Sequence, residues 1–205
     1  MDALSRLADA LRCLPGIGPK SALRMTCQLL QQRQRGLHLA KCLVDAMENI
    51  HYCTRCNNYT EETLCRICRL DNRSNEILCV VESPADVSAI EQSHAFSGTY
   101  FVLMGKISPL DGIGPGELRL PLLRERVLAE QTREVILALS PTVEGQTTAH
   151  FIHELLKDIP VRISEPARGI PSGGELEFLD SGTIGNALRN RALLQSGASE
   201  TGAFS

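Results

Sequence analysis

Tryptophan is absent from this chain, and three tyrosines and five phenylalanines leave aromatics at 4% of its 205 residues. Its core must therefore be packed from Leu, Ile, Val and Ala. No apolar run approaches the roughly 20 residues that a membrane-spanning helix requires. The opening MDALSRLADALRCLPG mixes charge throughout, where a secretion signal would place an apolar stretch. Together these absences predict a cytoplasmic protein. A large basic excess is also missing, since the net charge is −3. The charge is nevertheless unevenly placed. Residues 1–41 hold Arg6, Arg12, Lys20, Arg24, Arg33, Arg35 and Lys41 against Asp2 and Asp9, a local +5, and the rest of the chain sums to −8. A segment facing a polyanion shows this asymmetry, and so do many solvated helices.

Cysteine, by contrast, is plentiful. Cys53, Cys56, Cys65 and Cys68 form two Cys-x-x-Cys pairs eight residues apart, in HYCTRCNNYTEETLCRICRL. Two thiolate knuckles joined by one turn supply the tetrahedral sulfur set that Zn²⁺ prefers. A redox pair would stand singly at a strand-to-helix turn, whereas here the second pair repeats the first across the polar segment Asn57–Thr63. Four thiolates leave no open coordination position, which predicts one structural zinc ion per chain in a ribbon over residues 53–70. The other cysteines, Cys13, Cys27, Cys42 and Cys79, fall inside apolar patterns and are expected to be buried free thiols.

Periodicity predicts a helix up to Leu14, stopped by Pro15-Gly16, and a second from Pro19 to about Arg35, closed by Gly36. A third runs from Leu37 to Ile50. Beyond the cysteines the pattern alternates. Strands are expected at residues 77–81, 100–103, 134–139 and 161–163, with helices at 84–94, 122–130 and 145–157. Apolar strands alternating with helices require a parallel sheet flanked by helices. The small, polar tail 196–205 is expected to be disordered. The fold class read from the chain is α+β and multidomain.

Three motifs carry chemistry. Residues 14–24, LPGIGPKSALR, lie between the first two helices. Gly16 and Gly18 permit a tight turn and leave the amides at the next helix N-terminus uncovered, where an anion is favoured by unpaired donors and by the helix dipole. Lys20 and Arg24, four apart, share a face beside that turn. This segment resembles a helix-hairpin-helix, a module that grips DNA phosphate without reading bases. Arg6, Arg12 and Arg33 are weaker candidates. A phosphate-binding P-loop is excluded because Pro19 separates Gly18 from Lys20 and a helix precedes the turn.

The second motif, VVESPAD, places Glu82 at a strand end and Asp86 on the following helix; the third, SPTVEGQ, contains Glu144. Together they resemble the Toprim fold, in which a strand-end Glu and an Asp-x-Asp pair hold Mg²⁺. Where that metal-binding pattern has Asp-Pro-Asp-x-Glu-Gly-Glu, this chain has Ser140, Thr142 and Gln146, leaving Glu144 alone of the acidic set. Hydroxyls and an amide are poor partners for a hard dication, so the sheet is expected to be Toprim in shape and inert in chemistry. The alternative reading is a Mg²⁺-dependent nuclease or strand-passage enzyme that uses Glu82, Asp86 and Glu144. The five histidines show no catalytic arrangement. Loop 108–116 is glycine-rich enough to bind a ligand, although turn chemistry explains it equally well.

The order of parts, with the wording LRCLPGIGPKSA, CVVESPAD, GKISPLDGIGP, SPTVEG and GIPSGGELEFLDSGTI, is similar to the RecR family of bacterial recombination mediators over residues 3–191. The family typically has Asn at Ser140 and Glu at Gln146. The resemblance implies a helix-hairpin-helix DNA-binding region (1–52), the zinc ribbon (53–70), a Toprim-like domain (76–164), a C-terminal oligomerisation segment (165–195) and the tail. It also implies a homotetrameric ring able to encircle DNA, and partnership with RecO and RecF in helping RecA replace single-strand binding protein at gaps. Gly16, Gly18, Lys20 and Arg24 would then be DNA-binding, and Glu82, Asp86 and Glu144 partner-binding. Arg168 and the stretch 169–176 would meet a neighbouring subunit, although from spacing alone they are merely a turn before the last elements.

Overall fold

The computed structural model describes residues 1–109, 112–167 and 175–189. The chain divides into two compact units, Met1–Asn72 and Arg73–Ser205.

The first unit begins with three helices: α1 (Ala3–Leu11), α2 (Pro19–Gln31) and α3 (Arg33–Asn49). Asp2 starts α1, its carboxylate accepting from the Ser5 amide at 2.8 Å, and α1 packs against α2. Gly36 does not close the second helix as expected. The break falls at Gln32, whose backbone leaves the helical region at φ −111° and ψ 59°, and the Gly36 amide donates to the Gln32 carbonyl inside α3. One glycine costs a helix only about 1 kcal/mol, too little to end it between good helix formers. After α3 comes a two-stranded antiparallel hairpin, β1 (His51–Tyr52) and β2 (Tyr59–Thr60), which carries the cysteine knuckles.

The second unit is a four-stranded, wholly parallel sheet of order β4-β3-β5-β6, made from β3 (Ser74–Val81), β4 (Gly98–Val102), β5 (Glu134–Ala138) and β6 (Arg162–Ser164). The crossovers are α4 (Pro84–Gln92), α5 (Leu120–Ala129) and α6 (Val143–Leu156). Leu78 and Val80 of β3, Phe101 of β4, and Val135 and Leu137 of β5 meet Leu120, Leu123 and Val127 of α5 and Ile152 and Leu156 of α6 in one buried cluster. Each such side chain contributes about 1.5–3 kcal/mol on burial. Edge strand β4 is guarded: the Arg126 guanidinium donates to the Tyr100 carbonyl, and Arg126 pairs with Glu130 at 3.2 Å. A 3₁₀ turn (Leu176–Phe178) and α7 (Ser181–Arg189) follow.

Three of the four cysteines expected to be buried are not. Cys13, Cys27 and Cys42 are exposed, and Cys79 alone of that group is buried. Helical spacing brings Cys27 and Cys42 onto solvent-facing positions of α2 and α3, and Cys13 sits in the open turn after α1. The strand register instead turns Cys79 inward. Arg168, residues 169–174 and the tail 196–205 lie outside the described residues, as do Leu110 and Asp111 of the 108–116 loop. That loop is pinned by reciprocal backbone hydrogen bonds between Ser108 and Ile113.

Candidate nucleic-acid interface and metal centre

The two knuckles converge. The Sγ atoms of Cys53, Cys56, Cys65 and Cys68 all lie within 4.8 Å of one another, and all four residues are buried. They are the one such cluster of His, Cys, Asp and Glu among the described residues. The Cys65 amide donates to Cys53 Sγ at 3.3 Å, a hydrogen bond of the kind that a thiolate ligand would accept. Cys56 and Cys65 Sγ are 3.5 Å apart. With protons alone to share, such a set is frustrated. Cys56 is pushed well above the ordinary thiol value by its hydrogen bond to Cys65, then by Cys68 and burial, while Cys65 is pulled down by its hydrogen bonds to Cys56 and then Cys68. A soft dication resolves that conflict by accepting all four as thiolates, so the donor set fits Zn²⁺. His51, outside this set, is exposed, and its Nδ1 lies 3.1 Å from the Asn49 carbonyl oxygen.

Between α1 and α2 the chain turns through Gly16 at φ +79°, a conformation that side chains other than glycine rarely adopt. Gly18 precedes α2, Pro19 occupies its first turn, and no side chain caps the helix. A Cβ at Gly16 or Gly18 would meet nothing within 4 Å, so the corner is open to solvent. Lys20 and Arg24 are both exposed, and neither has a hydrogen-bond or ion-pair partner among the described residues. The weaker candidates differ. Arg6 donates to the Met1 carbonyl and Arg12 pairs with Asp9 at 3.2 Å, whereas Arg33 is exposed and unpaired among the described residues.

At the C-terminal end of the sheet, Glu82 accepts from the Ser140 amide at 2.7 Å and the Ser140 hydroxyl at 2.5 Å. Asp86 serves in a capping box: its carboxylate accepts from the Ser83 amide and hydroxyl, both at 2.8 Å, and the Ser83 hydroxyl accepts from the Asp86 amide. Glu144 lies 3.7 Å from Lys106 Nζ, which also donates to the Thr142 hydroxyl at 3.3 Å. The Glu144 carboxyl is held below its ordinary range by its own backbone amide, then by the Thr142 hydroxyl and the Lys106 cation. Gly145 is required for this corner, because a Cβ there would stand 2.0 Å from the Ser140 carbonyl oxygen. The three carboxylates are each engaged and do not converge on one point. This donor set does not fit Mg²⁺, which needs several hard oxygens aimed at one centre.

A family profile described as "Toprim domain" matches residues 76–165. Three others describe parts of RecR: its helix-hairpin-helix over residues 4–47, its four-cysteine zinc finger domain over 50–69 and its C-terminal segment over 169–192. Proteins named "Recombination protein RecR" from Legionella pneumophila strains Corby and Lens are each 68% identical over 195 residues, spanning 95% of this chain and 99% of theirs. The chain belongs to the RecR family. Its architecture is that of the RecR modules in order: helix-hairpin-helix, four-cysteine finger, then Toprim sheet. Within this RecR-family Toprim corner, Lys106 escaped the sequence reading. It lies 38 residues before Glu144, and no local spacing ties the two together; parallel-sheet topology does, by bringing the C-terminal ends of β4 and β5, which flank β3, to one edge.

Among the described residues no helix is long and apolar enough to cross a membrane.

Proposed function

We propose that this chain is a non-enzymatic DNA clamp and recombination mediator in DNA repair, acting at single-strand gaps with RecO and RecF to help RecA displace single-strand binding protein. The observation that carries the DNA reading is the open corner at the start of α2. There Lys20 and Arg24 stand exposed beside a glycine turn whose amides no side chain covers. Phosphate fits such a corner, and backbone phosphates carry no sequence, so binding is sequence-indifferent. The names of the relatives support the recombination role.

Assembly of several copies is supported by the apolar surface of the first unit. A groove of about 430 Å³ opens among Leu7, Leu11, Leu29, Leu37 and Leu43, and Met47 is 73% exposed. A surface of this kind favours cover by another protein surface. A homotetrameric ring would place several helix-hairpin-helix corners on one DNA, and the weak contact of each corner would be multiplied through effective concentration. Zinc, held by Cys53, Cys56, Cys65 and Cys68, would supply structural rigidity to the segment that follows α3. The non-cutting reading is supported by the engagement of Glu82 with Ser140, of Asp86 with Ser83 and of Glu144 with Lys106. These three remain candidates for partner contacts.

The test is the salt dependence of DNA affinity. Each phosphate that the protein ceases to neutralise lowers the slope of log affinity against log salt by about 0.9 on duplex DNA. Substituting Ala for both Lys20 and Arg24 therefore flattens the slope by about 2 per engaged subunit. Unchanged affinity and slope would remove the corner as the DNA site. Incubation with gapped DNA and Mg²⁺ checks the other half: accumulating cleavage products that vanish in Glu82→Gln would replace the clamp with an enzyme.

A further inference from the structure

The hairpin that carries the cysteine knuckles bears two tyrosines directly opposite each other, Tyr52 on β1 and Tyr59 on β2. Opposed residues of an antiparallel pair project to the same face. Here the rings stack with centroids 5.5 Å apart and planes 22° from parallel. Tyr52 is 38% and Tyr59 53% exposed, whereas Tyr100, the remaining tyrosine, is 2% exposed. The pair is not needed to fill the finger, whose apolar cluster consists of the four cysteines with Leu64 and Ile67 packed against them. Two large aromatic rings are thus spent on a two-residue hairpin in a chain with no tryptophan and few aromatics. The same finger presents Arg66, exposed and with no hydrogen-bond or ion-pair partner among the described residues, while Glu62 is engaged by Arg69. Glu61 is exposed nearby in sequence and sets a limit on the positive field.

We propose that the Tyr52–Tyr59 pair is a stacking platform for an unpaired base of single-stranded DNA, with Arg66 supplying charge to the strand's phosphates. The proposal rests on the DNA reading above and adds a second, chemically different contact to it. The corner at Lys20 and Arg24 meets phosphate and is blind to whether bases are paired. An exposed aromatic face is sensitive to pairing, because only an unpaired base can leave its neighbours and lie on a ring. Every base has such a face, so the contact is tolerant of sequence. A protein that combines the two contacts distinguishes a gap from continuous duplex without reading a single base edge.

The test uses the full chain with zinc bound and two oligonucleotides of equal length, oligothymidylate and its abasic counterpart, which share phosphates and differ in bases. Because tryptophan is absent and burial shields Tyr100 from a bound strand, a change in tyrosine emission on binding reports chiefly on the pair. Oligothymidylate is expected to change that emission and to bind about tenfold more tightly than the abasic strand. Tyr59→Thr, which keeps a strand-forming residue, is expected to lose about that factor for oligothymidylate and nothing for the abasic strand, whereas Tyr59→Phe retains it. Zinc content serves as the folding control. The comparison of the two strands on the unaltered protein stands even if Tyr59→Thr misfolds.

Equal affinity for the two strands overturns the platform. So does a Tyr59→Thr variant whose mass in solution falls while its single-strand affinity is kept, since the pair would then lie between copies. Duplex binding that depends on Lys20 and Arg24 but has no base-dependent counterpart sinks the platform and leaves the clamp standing. Absence of binding to any DNA sinks the clamp itself.

Discussion

Across α1, α2 and α3 the buried side chains are Ala22 and Thr26, whereas β3–β5 and the helices over them hide Phe101, Leu78, Val80, Leu123 and Ile152 completely. The two regions contain the same kinds of residue. Leu37, Leu39, Leu43 and Met47 of α3 are as apolar as anything in the sheet, yet all are exposed. The difference lies in what each region must do without help. A four-stranded sheet with helices packed on it encloses its own core, while three helices with an open apolar face have an unfinished one. Between them in sequence, the finger solves the problem of small size by another route, with four sulfurs in place of a core. The second unit is therefore expected to be self-sufficient, and the first to depend on metal and on other chains.

Metal removal should break this comparison most visibly. Structural zinc in finger peptides is worth on the order of 10–16 kcal/mol apparent, comparable with or greater than a whole domain's net stability. One zinc per chain is expected by elemental analysis. Chelation, or Cys53→Ser, should open His51–Leu70 to limited proteolysis while the sheet keeps its circular dichroism. Soluble protein that is protected in this segment and contains no zinc would show that the sulfurs hold together by other means.

The next largest effect separates core from surface. Phe101→Ala removes a fully buried ring and should cost about 3–5 kcal/mol in denaturant unfolding. Leu43→Ser on the open face should change the stability of the isolated chain by less than about 0.5 kcal/mol. It should instead lower the mass observed in solution, as a surface that another copy covers would require. If Leu43→Ser destabilised the protein as strongly as Phe101→Ala at every concentration, the contrast between the regions would be false.

How much of this was legible beforehand follows from how local each signal is. The two Cys-x-x-Cys pairs are local, and they converge as their spacing required. The strands were legible because a parallel sheet buries both faces and so writes continuous apolar runs such as Ile77–Val81. Gly36 misled because a glycine is read as a stop, whereas the break at Gln32 lies in a run of glutamine and arginine with no punctuation. Burial of Cys13, Cys27 and Cys42 could not be read correctly from apolar neighbours, since the face those neighbours form is itself exposed. The pairing of Glu82 with Ser140, and of Glu144 with Lys106, depends on strand order, which no short window of sequence contains. Tyr52 and Tyr59 were visible only as residues flanking the cysteines. Their stacking needed the hairpin register.

The smallest expected effect sharpens the contrast within the cysteines themselves. Cys79 lies on β3 at 3% exposure, and burial, followed by the nearby Asp86 carboxylate, pushes its thiol up from 9.0 to about 12. The folded chain thus keeps a proton that the unfolded chain releases. The resulting stabilisation is fully present below the unfolded value near pH 9.0 and is lost as pH rises toward about 12. Tyr100 acts in the same direction, its hydroxyl raised by burial and then by the Glu91 carboxylate that accepts from it at 2.6 Å. Cys79→Val replaces the thiol with a non-titrating side chain of similar size that suits a strand. Between pH 9.0 and about 12 the urea midpoint of the sheet should therefore fall less steeply in Cys79→Val than in the unaltered chain, with a residual slope carried by Tyr100. Identical slopes in the two proteins would mean that the thiol reaches solvent when it ionises, and that the sheet opens locally at β3 before it unfolds.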